Sequence, residues 1–243
     1  MALHFLLDAA SGAGPGAAVT LTGAEAHHAA AVRRVRVGEE ITVGDGAGAW
    51  LTGTCESVAP REVVVRITAR DDVPPAVPRL VLVQALAKGD RDELAVQAAA
   101  ELGADEIVPW QASRSVSRWD AAKTEKGRTR WAGIVREAAK QAHRAWVPDV
   151  APVVTTTQLA ARTGSADVLV LEPTADERLS IVPLSADRDI VLIVGPEGGI
   201  APGELEVLAT AGARLVRLGT TVLRTSTAGP AALAVMATRL GRW

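Results

Sequence analysis

The spacing of hydrophobic and polar residues changes character partway along this chain. In the first part, apolar residues come in short alternating runs. Residues 38–51 alternate about Asp45-Gly46, which predicts a hairpin, residues 62–68 predict another strand, and residues 18–22 read as β-like. One helix is expected over residues 25–36, with Thr22 as its cap. So few strands suit a small β-barrel better than a sandwich. Residues 71–78 carry two acids and three prolines, a composition that stays extended and cannot continue a central strand, so a linker is expected there. The expected domains are residues 1–72 and residues 73–243.

Beyond the linker the pattern becomes an alternation of continuous apolar strands with amphipathic helices. Strands are predicted over residues 80–86, 107–109, 168–171, 190–194 and 214–218. Helices are predicted over residues 91–102, closed by Gly103, over residues 120–145, over residues 202–211 with Pro202 in the first turn and Gly212 after the end, and over residues 227–240. Such alternation implies an α/β domain whose parallel sheet is covered on both faces.

Composition narrows the class. The chain has 243 residues, 48% hydrophobic and 22% charged, with no apolar run long enough to cross a bilayer, so a soluble protein with no membrane partner is expected. The first eight residues lack the basic region and apolar core of a signal peptide, and the expected location is the cytoplasm. One cysteine, Cys55, and four histidines without ligand spacing give no disulfide and no expected metal site.

Charge is unevenly placed. Residues 111–147 hold nine Lys or Arg and three acids, so this window is +6 within a chain whose net charge is −2. A basic patch on a mildly acidic protein suits a polyanion held at one place, and a solvated, ion-paired helix face is the alternative.

Two glycine clusters invite attention. Gly12-Ala13-Gly14-Pro15-Gly16 fails as a dinucleotide fingerprint, because it neither follows a buried strand nor opens a helix, and no Walker-type loop is present. Gly195-Pro196-Glu197-Gly198-Gly199 does follow a buried strand, where open α/β sheets bind ligands, although a plain strand-to-helix turn reads the same way. Leu218-Gly219 and Leu171-Glu172-Pro173 follow two other predicted strands. Three loops at three strand ends could enclose a small flat ligand such as an adenosine.

Gly-Pro-Glu-Gly-Gly followed by Leu218-Gly219, Leu223-Arg224-Thr225 and Thr227-Ala228 resembles the knotted SPOUT class of S-adenosylmethionine-dependent RNA methyltransferases. Within it, the chain resembles the bacterial small-subunit ribosomal RNA (uracil-N3) methyltransferases. The likeness runs over nearly the whole chain. His27 to Arg34 with Gly38 and Asp45-Gly46 matches a PUA-like RNA-binding barrel. Lys88-Gly89-Asp90-Arg91, Glu101-Leu102-Gly103, Arg114-Ser115, Trp131 and residues 137–141 match the middle section. The resemblance implies a trefoil knot, a homodimer, S-adenosylmethionine as cofactor and 16S rRNA, within the small ribosomal subunit, as partner. It places Leu171, Glu172, Gly195, Glu197, Gly198, Leu218, Gly219, Leu223, Thr225 and Ala228 at the cofactor. At one position the chain departs from the family: Ser226 stands where a glutamate is frequent.

The remaining chemistry follows from residue types. Methylation of a pyrimidine carbon by the covalent route needs a cysteine nucleophile, and Cys55 lies in the barrel, where a small buried hydrophobe is the expected role. Nitrogen or oxygen methylation is favoured. At uracil N3 a proton leaves as the methyl arrives, and charge spreads to the flanking carbonyls. Arg224 is the candidate cation for that charge, and Glu197 the candidate proton acceptor, or else a brace for the glycine loop. The pairing edge must be unstacked to react, so RNA has to be held: Arg114, Arg118, Lys123, Arg128, Arg130, Gln141 and Arg144 are the candidates, with Arg33 and Arg34 from the barrel. Trp119, Trp131 and Trp146 either stack on bases or pack in the core, the latter expected for Trp131. Helix 227–240 offers a flat dimer face or plain sheet cover. Alternative functions are 2′-O-ribose methylation by a related knotted enzyme and a non-catalytic RNA-binding assembly factor.

Overall fold

A computed structural model of the protein describes residues 2–243. The chain forms two compact units, Met1–Pro75 with Ala139–Val147, and Ala76–Ala138 with Pro148–Trp243.

The first unit is built on β1 (Leu3–Leu6), β2 (Ala18–Thr22), β3 (Glu40–Gly44), β4 (Ala49–Ala59) and β5 (Glu62–Asp72), in the spatial order β1-β3-β4-β5-β2. The expected barrel is a curled five-stranded half-barrel. Register shifts at Thr52/Gly53 and Cys55/Ser57 bend the long β4–β5 pair, since a bulge adds a residue on one strand and increases its twist. Gly53 is required at the first: a Cβ there would lie 2.6 Å from the Arg66 carbonyl oxygen. The Asp45-Gly46 turn forms as expected, with Asp45 Oδ1 accepting from the Ala47 and Ala49 amides. Inside the curl pack Phe5, Leu21, Ile41, Val43, Leu51, Val63, Val65, Ile67 and Cys55. Burial pushes the Cys55 thiol pKa up, as befits a core residue.

Three expectations here need correction. The helix over residues 25–36 is instead a short α1 (Gly23–His27) that widens into a π-turn (His28–Val32), so Arg33 and Arg34 lie beyond it, Arg34 at φ 55°. Thr22 occupies the cap position without a capping side-chain hydrogen bond. Asp71 and Asp72, placed in the linker, belong to β5, paired with Trp50 and Ala49.

Residues 139–147 complete this unit. Lys140, 4% exposed, pairs with Glu25 at 2.9 Å, the Gly48 and Val147 amides donate to Ala145 and Gly46 carbonyls, and the Trp146 indole donates to Val73 O. His143 approaches His4, which stacks on Trp50 at 4.2 Å and meets Thr42 through Nδ1 at 2.9 Å.

The second unit is a seven-stranded, wholly parallel sheet. Its strands are β6 (Leu80–Ala85), β7 (Glu106–Trp110), β8 (Asp149–Val150), β9 (Ala166–Leu171), β10 (Glu177–Arg178), β11 (Asp189–Val194) and β12 (Arg214–Arg217), in the order β10-β12-β9-β11-β6-β7-β8. Its helices are α2 (Arg91–Glu101), α3 (Ala121–Gln141), whose last three residues belong to the first unit, α4 (Thr156–Ala160), α5 (Pro202–Thr210) and α6 (Thr225–Arg239). Successive side chains of a strand point to opposite faces. Val81, Val83, Val168, Val170, Val191 and Ile193 accordingly pack with Leu159 of α4 and Leu208 of α5. The opposite face takes α6, where a Cβ on Gly229 would lie 2.9 Å from Leu82 and 3.4 Å from Val194. Burial on both faces explains why residues 190–194 of β11 read as an unbroken apolar run and β6 as one interrupted by Gln84 alone.

The helix expected over residues 120–145 stops at Gln141, because the residues after it pair with the β3–β4 turn. Within it Trp131 is buried, and Trp119 packs edge-on against it at 5.2 Å, over Gly127. Trp131 is thus a packing residue, as expected. Among the described residues no helix is long and apolar enough to cross a membrane.

Candidate active site

Strands β9, β11 and β12 end side by side, and the loops that follow them enclose a cavity of about 460 Å³. That is within the range of about 300–1,000 Å³ typical of small-molecule sites. The first loop contributes Leu171, Glu172 and Pro173, the second Gly195, Pro196, Glu197, Gly199 and Ile200, and the third Leu218, Gly219, Thr221, Val222, Leu223 and Arg224. Thr225 and Ala228 of α6 join them, with Arg91 from the first turn of α2 and Arg217 from the end of β12.

Two of the three loops are pinned by side-chain polar contacts. In the second, the Thr225 hydroxyl donates to the Gly195 carbonyl at 2.8 Å and accepts from the buried Gln84 amide at 2.9 Å, which ties the start of α6 to the end of β11 and to β6. Glu197 Oε1 accepts from the Lys88 amide at 3.0 Å and from the Arg91 guanidinium at 3.1 Å. Burial pushes the Glu197 carboxyl pKa up, but hydrogen bonds from its own amide, from Lys88 and from Arg91 outweigh it and hold it below the usual range. Next to this contact, the Ala87 amide donates to the buried Asp92, whose pKa burial raises. In the first loop, Glu172 Oε1 accepts from the Thr174 amide and hydroxyl, while its amide donates to Val216 O. The third differs: the exposed Arg224 side chain makes no hydrogen bond or ion pair among the described residues.

The glycines serve different ends. A Cβ on Gly195 would lie 2.6 Å from Ile200 Cγ1, so this glycine is demanded by the loop's own packing. Gly219 lines the cavity, and among the described residues no atom beyond its own chain neighbours lies within 4 Å of its Cβ position. A side chain there would meet only what enters the cavity.

Of the ten residues expected at a cofactor, the cavity gathers all but Gly198, whose carbonyl instead accepts from Arg114 at 3.1 Å. Ser226 is not among the lining residues. Arg91, Pro196, Ile200, Arg217, Thr221 and Val222 were not expected there. Arg91 sits in the Lys88-Gly89-Asp90-Arg91 segment, but its closeness to Glu197 joins residues 106 positions apart, which no local pattern signals.

Part of the basic window is ion-paired. Lys123 meets Asp120 at 3.2 Å, Arg128 meets Glu125 at 3.2 Å, and Arg130 meets Glu93 at 2.6 Å. Arg114 and Arg118 are exposed, and among the described residues they donate only to main-chain carbonyls. Arg33, Arg34, Gln141 and Arg144 lie in the first unit, the first three exposed. No group of three or more His, Cys, Asp or Glu that could hold a metal occurs among the described residues.

Known proteins share both units. Residues 74–237 match the family model of an RNA methyltransferase domain, and residues 21–68 match that of an RNA methyltransferase PUA domain. Ribosomal RNA small subunit methyltransferase E of Mycobacterium bovis is 44% identical over 233 residues, covering 94% of this chain and 89% of that protein. Its Bacillus subtilis counterpart is 32% identical over 218 residues, covering 86% and 85%. The crystal structure of ribosomal RNA small subunit methyltransferase E from Neisseria gonorrhoeae, bound to S-adenosyl methionine, superposes with a TM-score of 0.87 at 28% identity over 98% of both chains. Sharing a methyltransferase domain, a PUA domain and a whole-length architecture with these proteins, the chain belongs to the RNA methyltransferase family that contains the ribosomal RNA small subunit methyltransferases E.

Proposed function

We propose that this protein methylates N3 of a specific uridine in 16S rRNA of the small ribosomal subunit, with S-adenosylmethionine as methyl donor. The observation that carries the reading is the cavity at the ends of β9, β11 and β12, with an uncompensated arginine in its lining. The relatives' activity and the cofactor bound by the Neisseria gonorrhoeae protein agree with it.

The residues present suit that cofactor. Glu172 Oε2, which has no partner among the described residues, is an acceptor for ribose hydroxyls, and the open flank of Gly219 leaves room for a flat base. Leu171, Leu218 and Leu223 supply apolar walls. The bound sulfonium supplies an electrophilic methyl group and needs no metal.

Arg224 donates hydrogen bonds to the uracil carbonyl oxygens as negative charge gathers on them, which favours loss of the N3 proton and attack by the nitrogen. Having no hydrogen-bond or ion-pair partner among the described residues, its side chain is available for that task. Glu197 acts chiefly as a strut: its Oε1 is already shared by Lys88 and Arg91, and its depressed pKa makes it a weak base, so a water takes the proton. Arg114 and Arg118 hold phosphates with the help of Arg33 and Arg34 in the PUA domain, while Lys123, Arg128 and Arg130 serve mainly their carboxylate partners.

The trefoil knot, the homodimer and the cytoplasmic location belong to the same proposal. The contact of Thr225 with Gly195 and the seating of Gly229 on Leu82 and Val194 support a C-terminal segment threaded against the glycine loop. Leu94, 52% exposed on α2 beside α6, supports an apolar face for a second copy.

The test is to incubate the protein with labelled S-adenosylmethionine and either naked 16S rRNA or intact small subunits from cells lacking the activity, then locate the label by mass spectrometry. Label on uracil N3 is expected. Label on a ribose or another base would refute the site, and no transfer to either substrate would refute the enzyme.

A further inference from the structure

Lys123, Arg128, Arg130 and Lys140 are neutralised by Asp120, Glu125, Glu93 and Glu25. Arg114 and Arg118 are different, because neither has a carboxylate partner among the described residues. Arg114 Nη1 donates to Gly198 O at 3.1 Å, and Arg118 Nη2 donates to Ser113 O at 3.2 Å. A carbonyl leaves the positive charge intact, and a guanidinium has five N–H donors, so most of each fork remains available to a phosphate.

The two arginines share one braced loop but reach different targets. Gln111 Oε1 accepts from the Trp119 amide at 3.0 Å, and Gln111 Nε2 donates to Ser117 O at 3.3 Å, which closes the loop on itself. Ser113 is fastened to α5: its amide and hydroxyl donate to Glu204 at 3.0 and 2.8 Å. Arg118 turns back onto this same loop, whereas Arg114 reaches across to the glycine loop that lines the cavity. The Gly198 Cα flank lies against Arg114 as well, since a Cβ there would be 3.5 Å from Arg114 Cβ.

We propose that Arg114 is a positioning residue that couples RNA binding to cofactor binding, one N–H holding the Gly198 carbonyl while the others hold a backbone phosphate. The proposal rests on the methyltransferase reading above. A cofactor that orders the glycine loop fixes the Gly198 carbonyl and so aims the guanidinium before RNA arrives. A phosphate that fixes the guanidinium holds the Gly198 carbonyl, and with it the glycine loop, in place in turn. By linkage the two effects are equal in size. Arg118 contributes charge and phosphate affinity without this coupling.

The experiment measures the affinity of S-adenosylhomocysteine, which permits no turnover, by calorimetry with and without saturating naked 16S rRNA from cells lacking the activity. For the wild type, RNA tightens binding about five- to tenfold, at the low end of allosteric couplings. R114A lowers RNA affinity and brings that ratio to about one. R114K, which keeps the charge but not the planar fork, also brings the ratio to about one while retaining most RNA affinity. R118A lowers RNA affinity and keeps the wild-type ratio. Thermal melting checks that each variant is folded, and should R114A fail to fold, R114K carries the test. A ratio preserved in R114K, or abolished equally in R118A, overturns the proposal. A wild-type ratio of one overturns it while sparing the methyltransferase reading. No binding of S-adenosylhomocysteine by the wild type in either condition removes that reading itself, and the proposal with it.

Discussion

The Thr225 hydroxyl donates to the Gly195 carbonyl at 2.8 Å, joining the first residue of α6 to the first residue of the glycine loop. Since the same oxygen accepts from Gln84, replacement by valine, which keeps the shape, leaves the partly buried Gly195 carbonyl without this donor and the buried Gln84 amide with the Ala85 carbonyl as its remaining acceptor. Thr225→Val is expected to lower stability by about 1–3 kcal/mol and to weaken S-adenosylhomocysteine binding about tenfold. Denaturant unfolding and calorimetry check both; unchanged ligand affinity in a folded variant would show that this bond does not shape the cavity.

Gly219 makes the opposite prediction. With no atom beyond its chain neighbours within 4 Å of its Cβ position among the described residues, Gly219→Ala should leave the melting temperature within a few degrees of wild type, yet weaken cofactor binding at least tenfold by filling the space beside the ligand. A calorimetric titration decides, and wild-type affinity would place the bound base elsewhere.

Arg224 and Glu197 are expected to part company kinetically. Arg224→Ala should lower kcat about a hundredfold or more with little change in cofactor affinity, because its charge is needed only as the uracil becomes anionic. Glu197→Gln keeps an oxygen for the Lys88 amide but loses the ion pair with Arg91. A strut predicts weaker cofactor binding by a few-fold and an unaltered pH dependence of kcat. A collapse of kcat with normal affinity would make Glu197 the proton acceptor.

His4 gives the first unit a pH dependence. Burial, helped by the charges of His143 and Lys140, lowers its pKa from 6.5 to about 4. The unfolded chain therefore binds a proton that the folded one refuses between these values, and stability falls as pH drops through that window, by up to about 3 kcal/mol, with no contribution from this group above it. His4→Gln should flatten the fall in melting temperature between pH 6.5 and 4. An equal slope in the variant would assign the acid sensitivity to other groups.

Much of the molecule could be read from residue order. The apolar runs of β6 and β11 announce burial on both faces, and Asp45-Gly46 announces its hairpin, because both signals are local. The three loops were legible for the same reason: each follows a strand that can be recognised by itself. What stayed hidden depends on distant partners. The pairing of Arg130 with Glu93 and of Lys140 with Glu25 turns much of a basic window into internal ion pairs, and charge counting cannot see this. The end of α3 is set by pairing with the β3–β4 turn, not by a stop signal of its own. Two-residue strands such as β8 and β10 are too short to carry any period.

The return of residues 139–147 has a consequence for dissecting this protein. A Cβ on Gly46 or Gly48 would collide with Val147 or Trp146, so these glycines record in the PUA sequence a neighbour that is encoded far downstream. A fragment cut at Pro75 would leave Glu25 without its lysine and Val73 O without its indole donor. Although it looks like a detachable module, the RNA-binding domain is inherited in two pieces, and grafting it onto another protein requires both.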